Sequence, residues 1–165
     1  MSCCGSLTYI GLSPPLIGIR FANYTTNLYY DEGNNGFEYT GDGCLVPKDI
    51  TSVRFNEGLR KIGHHAFRDC RSLVSITLPS TLVEIGDYAF YVGEYYAFSG
   101  CTNLGEITLN DGLKKIGNSA FKHNSSLESI KLPSTVVEIG INAFSGCYNL
   151  REFTFNYGLK KIGEG

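Results

Sequence analysis

From Ile50 onward the apolar residues recur in a fixed frame. "ITSVRFNEGLRKIGHHAF" is followed by "LVSITLPSTLVEIGDYAF", "LGEITLNDGLKKIGNSAF", "LESIKLPSTVVEIGINAF" and "LREFTFNYGLKKIGEG". The step from Leu104 to Leu127 is repeated from Leu127 to Leu150, and again from Phe55 to Leu78, so these units share one length. The step from Leu73 to Leu104 is longer by eight positions. That long unit also holds Ala-Phe twice, at Ala89-Phe90 and Ala97-Phe98, and we read its excess as an insertion "YVGEYYAF" at 91–98. A unit of this length cannot bury its apolar residues alone, whereas stacked copies share one core.

Within each unit, Leu-x-x-Ile-x-Leu ends in the alternation of a half-buried strand. A reversal follows in one of two forms. "LPST" uses proline to fix φ, and "NEG", "NDG" and "NYG" place glycine where a turn needs positive φ. A second extended piece such as "VVEIG" comes next, and Ala-Phe-x-x-Cys-x-x-Leu then returns with helix-like spacing. Stacking in this frame aligns Ile76, Ile107 and Ile130; Ile62, Ile85, Ile116 and Ile139; and Phe67, Phe121 and Phe144.

The two reversal types alternate, so the full period is a pair of units, and charge follows it. Lys61, Glu84, Lys115, Glu138 and Lys161 occupy one position in successive units. Neighbouring strands lie about 4.8 Å apart, so each lysine would meet a glutamate. An out-of-phase stack would oppose like charges, which is unfavourable.

Residues 1–49 do not repeat. "NLYYDEGNNGFEYTG" reads as two short aromatic strands joined at "NNG", a hairpin signal, and the segment is expected to cap the first coil. The last unit stops after "IGEG", without its Ala-Phe, which leaves an uncovered coil as a second surface for association.

The full pattern, Leu-x-x-Ile-x-Leu-Pro-x-x-(Leu/Val)-x-x-Ile-Gly-x-x-Ala-Phe-x-x-Cys, resembles the BspA-like leucine-rich repeats over residues 50–165. The resemblance implies a right-handed coil stack with a parallel sheet on its concave face. Together with the helix-like return segment, this gives a β-rich α/β solenoid of about five coils behind an N-terminal cap. It also implies a binding role, often as a surface adhesin, and brings no common catalytic residues. The departures are the insertion, the unfinished last coil, and Asn124 where Cys70, Cys101 and Cys147 stand.

Composition narrows the function further. A net charge of −2 argues against nucleic-acid binding through a basic surface. No apolar run approaches the roughly 20 residues of a membrane span. The N-terminus lacks a basic leader region, and Pro14-Pro15 breaks its apolar stretch. The default compartment is therefore intracellular, or the cell surface if the chain is a trimmed fragment.

Candidate chemistry is sparse. Cys70, Cys101 and Cys147 share a position beside a core leucine and read as small buried hydrophobes. "MSCCG" lacks the basic cluster or second anchor that stable acylation needs. No Cys-x-x-Cys is present, and His64, His65 and His123 do not form a metal-binding pattern. Asp31, Asn35, Gly36 and Asp42 mimic part of a calcium loop, but Gly33 removes a ligand, so neither metal nor cofactor is expected. Asn23-Tyr24-Thr25 and Asn124-Ser125-Ser126 are glycosylation sequons, meaningful only in a secreted protein.

The expectation is a non-enzymatic module that binds a protein or peptide. One candidate surface is the outward strand face, with Arg54, Ser75, Thr77, Glu106, Thr108, Glu128, Lys131, Arg151, Glu152 and Thr154. The other is the tyrosine cluster around the insertion, Tyr88, Tyr91, Tyr95 and Tyr96, because tyrosine brings large contact area at low entropy cost. The rival reading is a structural or capping segment of a longer scaffold with no ligand of its own.

Overall fold

The computed structural model describes residues 17–21, 24–28, 37–39, 51–55, 57–93 and 104–165. They form a β-solenoid in which two columns of parallel strands and one side of stacked turns enclose the core.

The first column is made of β4 (Ser52–Phe55), β6 (Ser75–Thr77), residues 106–108, β9 (Ser129–Lys131) and β11 (Glu152–Thr154). Val53 pairs with Ile76, Thr77 with Thr108, Glu106 with Ser129, and Ile130 with Phe153, all in parallel. Five strand levels therefore mark four complete turns. The second column is a parallel sheet of six strands: β3 (Phe37–Tyr39), β5 (Leu59–Ile62), β7 (Glu84–Ile85), β8 (Lys115–Ile116), β10 (Glu138–Ile139) and β12 (Lys161–Ile162).

The third side corrects one expectation. Among the described residues no helix forms. The Ala-Phe-x-x-Cys-x-x-Leu segment is a run of tight turns, with Cys70 N–H donating to Phe67 O and Leu73 N–H to Cys70 O. Every second N–H instead reaches the next coil: Phe67 N–H donates to Ala89 O, Phe90 N–H to Ala120 O, and Phe121 N–H to Ala143 O. That geometry needs left-handed residues at one recurring position, and His65, Tyr88, Ser119 and Asn142 have φ of 60°, 56°, 51° and 55°. The inter-coil ladder satisfies backbone groups that a helix would have satisfied internally.

Side chains stack as the repeat frame requires. Phe67, Phe90, Phe121 and Phe144 form a continuous pile with ring centroids 5.2, 5.2 and 5.5 Å apart, near the spacing of the strands. Ile62, Ile85 and Ile116 are fully buried, and Val53, Ile76, Ile107 and Ile130 line the other wall. Glycine after each second-sheet isoleucine lets the coils close. A Cβ on Gly117 would come within 2.6 Å of Asp87 N, and one on Gly140 within 2.5 Å of Asn118 N.

Phe90 fills the core column of the long unit. Tyr91, Val92 and Gly93 keep the register of their neighbours, since Val92 N–H donates to Lys122 O as Phe90 N–H does to Ala120 O. The extra length is thus read between Gly93 and Leu104. Tyr95, Tyr96, Phe98 and Cys101 lie outside the described residues, as do Cys3, Cys4 and the calcium-loop mimic at 31, 35, 36 and 42.

Near the N-terminus the described strands include one antiparallel hairpin, while "NNG" lies outside the described residues. β1 (Ile17–Phe21) pairs antiparallel with β2 (Tyr24–Leu28) and with β4. The strand after "NNG", β3, pairs in parallel with β5 rather than with β2. That register sets Glu38 against Lys61.

Candidate functional site

Alternation along the first-column strands sends one set of side chains inward and the other to solvent. Arg54, Ser75, Thr77, Glu106, Thr108, Lys131, Glu152 and Thr154 are exposed, and Ser129 is half-buried. Glu128 and Arg151 stand at the strand entries of adjacent coils, where Arg151 N–H donates to Glu128 O, and both are exposed. The sequence-predicted residues of this face therefore share one polar surface that runs across the coils.

The surface is not flat. A groove of about 320 Å³ lies between the third and fourth levels, lined by Glu106, Thr108, Asp111, Ser129, Lys131 and Pro133. It opens where the ladder thins, because residues 106 and 108 are joined to their neighbours only by single bridges. Sequence reasoning found Glu106, Thr108 and Lys131 but missed Asp111, which belongs to the "NDG" reversal and was read only as turn chemistry. Two carboxylates and one ammonium around a shallow cleft suit charged peptide side chains. Among the described residues, no group of three or more His, Cys, Asp or Glu is placed to hold a metal ion.

Tyr91 is not on this face. It lies in the stacked turns with Tyr88, their rings 5.5 Å apart in an edge-on contact. The two candidate surfaces are thus separate.

The second sheet carries the charge ladder. Lys61 pairs with Glu84, Glu84 with Lys115, Lys115 with Glu138, and Glu138 with Lys161 in strand register. Nζ–Oε1 distances are 3.8 Å for Lys61–Glu84, 4.0 Å for Lys115–Glu84 and 3.0 Å for Lys161–Glu138. In strand register Glu38 of β3 is set against Lys61, a placement the sequence missed because β3 was not recognised as a strand of this sheet.

The two reversal types also bind each other. Each "LPST" threonine reaches back to the preceding glycine-type coil: Thr81 Oγ1 donates to Leu59 O at 2.9 Å and Thr135 Oγ1 to Leu113 O at 2.8 Å. The two described glycine-type asparagines reach back to the "LPST" coil before them. Asn110 Nδ2 donates to Ser80 O and Leu82 O, and Asn156 Nδ2 to Pro133 O and Val136 O. In the first pair, Glu57 accepts from Ser80 N–H and Oγ, and these bonds hold its carboxyl below the ordinary value. Alternation is therefore chemical complementarity as well as charge.

The family model for the BspA type leucine rich repeat region matches residues 38–94 and 93–165, in six copies. This chain belongs to the BspA-type leucine-rich repeat family. The crystal structure of a T. pallidum leucine rich repeat protein is similar, with 28% identity and a TM-score of 0.57 over 76% of this chain and 63% of that one. A leucine rich cell surface protein from Faecalibacterium prausnitzii shares the fold at 24% identity and a TM-score of 0.58. The alignment covers 74% of this chain and 34% of the F. prausnitzii protein, so the BspA-type repeats here span a part of what those proteins contain. Among curated proteins no sequence matches this one. No helix among the described residues is long and apolar enough to cross a membrane.

Proposed function

We propose that this BspA-type repeat chain is a non-enzymatic protein-interaction module that binds a protein or peptide on its first-column strand face, with an adhesin-like role as its surface form. The observation that carries the reading is the in-register polar face with the Glu106–Asp111–Lys131 groove at its centre. Repeat families of this kind generally act as interaction scaffolds, and a rigid parallel ladder holds such side chains in fixed positions at little entropic cost on binding. The described residues of the face mix hydroxyls with both charges, which suits a polar partner of moderate affinity. Residues 1–49 act as its cap, in this reading.

Affinity capture from the native source tests this, comparing the wild type with a Lys131→Glu, Arg151→Glu double variant. Both side chains are exposed, so the variant keeps its circular dichroism spectrum. The partner should be retained by the wild type and lost by about tenfold with the variant, an effect of the size expected for two charge reversals at an interface. Equal capture by both proteins overturns the strand-face reading.

One observation favours the scaffold alternative. Phe155, Tyr157 and Ile162 of the last coil are largely exposed. They offer an apolar edge for another coil or partner. Equal capture in the experiment above, lost on Tyr157→Ser with Ile162→Ser, would transfer the assignment to that edge.

A further inference from the structure

His64, His65 and His123 are all of the histidines in the chain, and the fold brings them to one strip of the turn side. His65 stacks on Tyr88 with ring centroids 5.0 Å apart. Tyr88 meets Tyr91, and Tyr91 lies 6.1 Å from His123 in the next coil. The Arg68 guanidinium sits 5.2 Å above the Tyr91 ring, and His64 Nδ1 lies 3.7 Å from Asp87 Oδ2.

We propose that this strip is a second docking surface, for an acidic peptide segment bearing aromatic residues, and that protonation of His65 strengthens its binding. The inference is independent of the strand-face reading.

Backbone conformation gives the first argument. His65 and Tyr88 occupy the recurring left-handed position that Ser119 and Asn142 fill in later coils. Asparagine accepts that conformation readily, whereas a bulky ring such as Tyr88 is poorly suited to it. Large rings held there by the surrounding fold point to a use for them. Stacked and exposed, they offer rigid aromatic area of the kind that anchors interfaces.

Charge gives the second. The two acids of the strip are engaged by the protein's own donors. Asp69 accepts from Gly93 N–H and faces Arg68 and Arg71 at 3.5 Å each. Asp87 Oδ1 accepts from Asn118 N–H at 2.7 Å. Arg68 and His64 remain about half-exposed, with side-chain exposures of 48% and 56%. Arg68 and Arg71 offset Asp69 and Asp87, so the strip is aromatic and near charge balance at neutral pH, and protonation of His65 tips it to positive, complementary to an acidic segment.

The pH dependence has a defined sign. His65 faces His64 and Arg68 of its own coil and Asp87 and Tyr88 of the next. Burial, then the charges of Arg68 and His64, hold its imidazole below the ordinary value, against the opposing pull of Asp87. It is neutral at pH 7 in the free protein. An acidic partner adds a countercharge, so affinity rises as pH falls.

Fluorescence anisotropy tests the proposal with a labelled peptide of about a dozen alternating Glu and Phe, beside its Lys–Phe counterpart. Glutamates remain ionised over the range used. The acidic peptide should bind, and tighten by about fivefold between about pH 7.5 and about pH 5.5, whereas the basic one should not. His65→Asn, which keeps the left-handed backbone, should abolish the tightening. Tyr88→Asn should weaken binding at both pH values. The Lys131→Glu, Arg151→Glu variant should bind this peptide unchanged, so a failure of the strand-face reading is told apart. Equal binding of both peptides, no binding of the acidic one, or a pH dependence that survives the His65 change overturns the proposal.

Discussion

Cys147 and Asn124 occupy the same repeat position with different chemistry and perform one task. Cys147 Sγ–H donates to Phe121 O at 3.2 Å, and Asn124 Nδ2 donates to Phe90 O and Phe121 O at 2.8 Å each. The position requires a buried donor that caps a carbonyl between coils. From the sequence it was legible as a small buried site that works without sulfur. The donor role was not, because it depends on a carbonyl in the preceding coil. With 3% of its surface exposed and its amide engaged, Asn124 is closed to glycosylation despite its sequon. Cys147→Asn should therefore be tolerated, whereas Cys147→Ala should lose about 1 kcal/mol in urea unfolding, the worth of a buried hydrogen bond. Burial pushes the Cys147 thiol up to about 12, against the opposing hydrogen bond from Asn124 N–H. The folded thiol should thus be inert to thiol reagents at neutral pH and reactive after denaturation. Because the folded value is raised, its contribution to stability is complete below pH 9 and declines as the pH rises towards 12.

At the scale of the element, the charge ladder was legible because a parallel stack converts a fixed sequence spacing into adjacency. Lys61, Glu84, Lys115, Glu138 and Lys161 fall in register as the repeat period requires. Glu138→Lys replaces attraction by repulsion on both sides. It should destabilise by about 1 kcal/mol in denaturant unfolding, and by less at high salt, since the pairs are partly exposed. A loss that salt leaves unchanged would show that burial or packing, not the ladder, sets the cost. One element was misread for a physical reason. Ala-Phe-x-x-Cys-x-x-Leu has spacing that a helix and a run of tight turns share, and only the inter-coil hydrogen bonds decide between them. The strand after "NNG", β3, has its described partner a full coil along the chain, with Phe37 set against Leu59 of β5. Asp111 and the histidine strip were hidden for the same reason, as neither repeats and each acquires its meaning from neighbouring coils.

At the scale of the molecule, two coil types alternate and each is completed by the other. Threonine and asparagine reversals exchange hydrogen bonds, lysine and glutamate rungs exchange charge, and phenylalanines stack through all of them. This complementarity fixes the register that holds the proposed strand face in place. Equilibrium urea unfolding of two chains, each shortened by one repeat length, tests it most directly. Deleting 127–149 sets Lys115 beside Lys161 and the Asn110 reversal beside that of Asn156, whereas deleting 143–165 leaves the alternation whole. With coil number matched, the account predicts that the internal deletion unfolds at lower urea and with a shallower transition than the terminal one. An internal deletion as stable and cooperative as the truncation would contradict it.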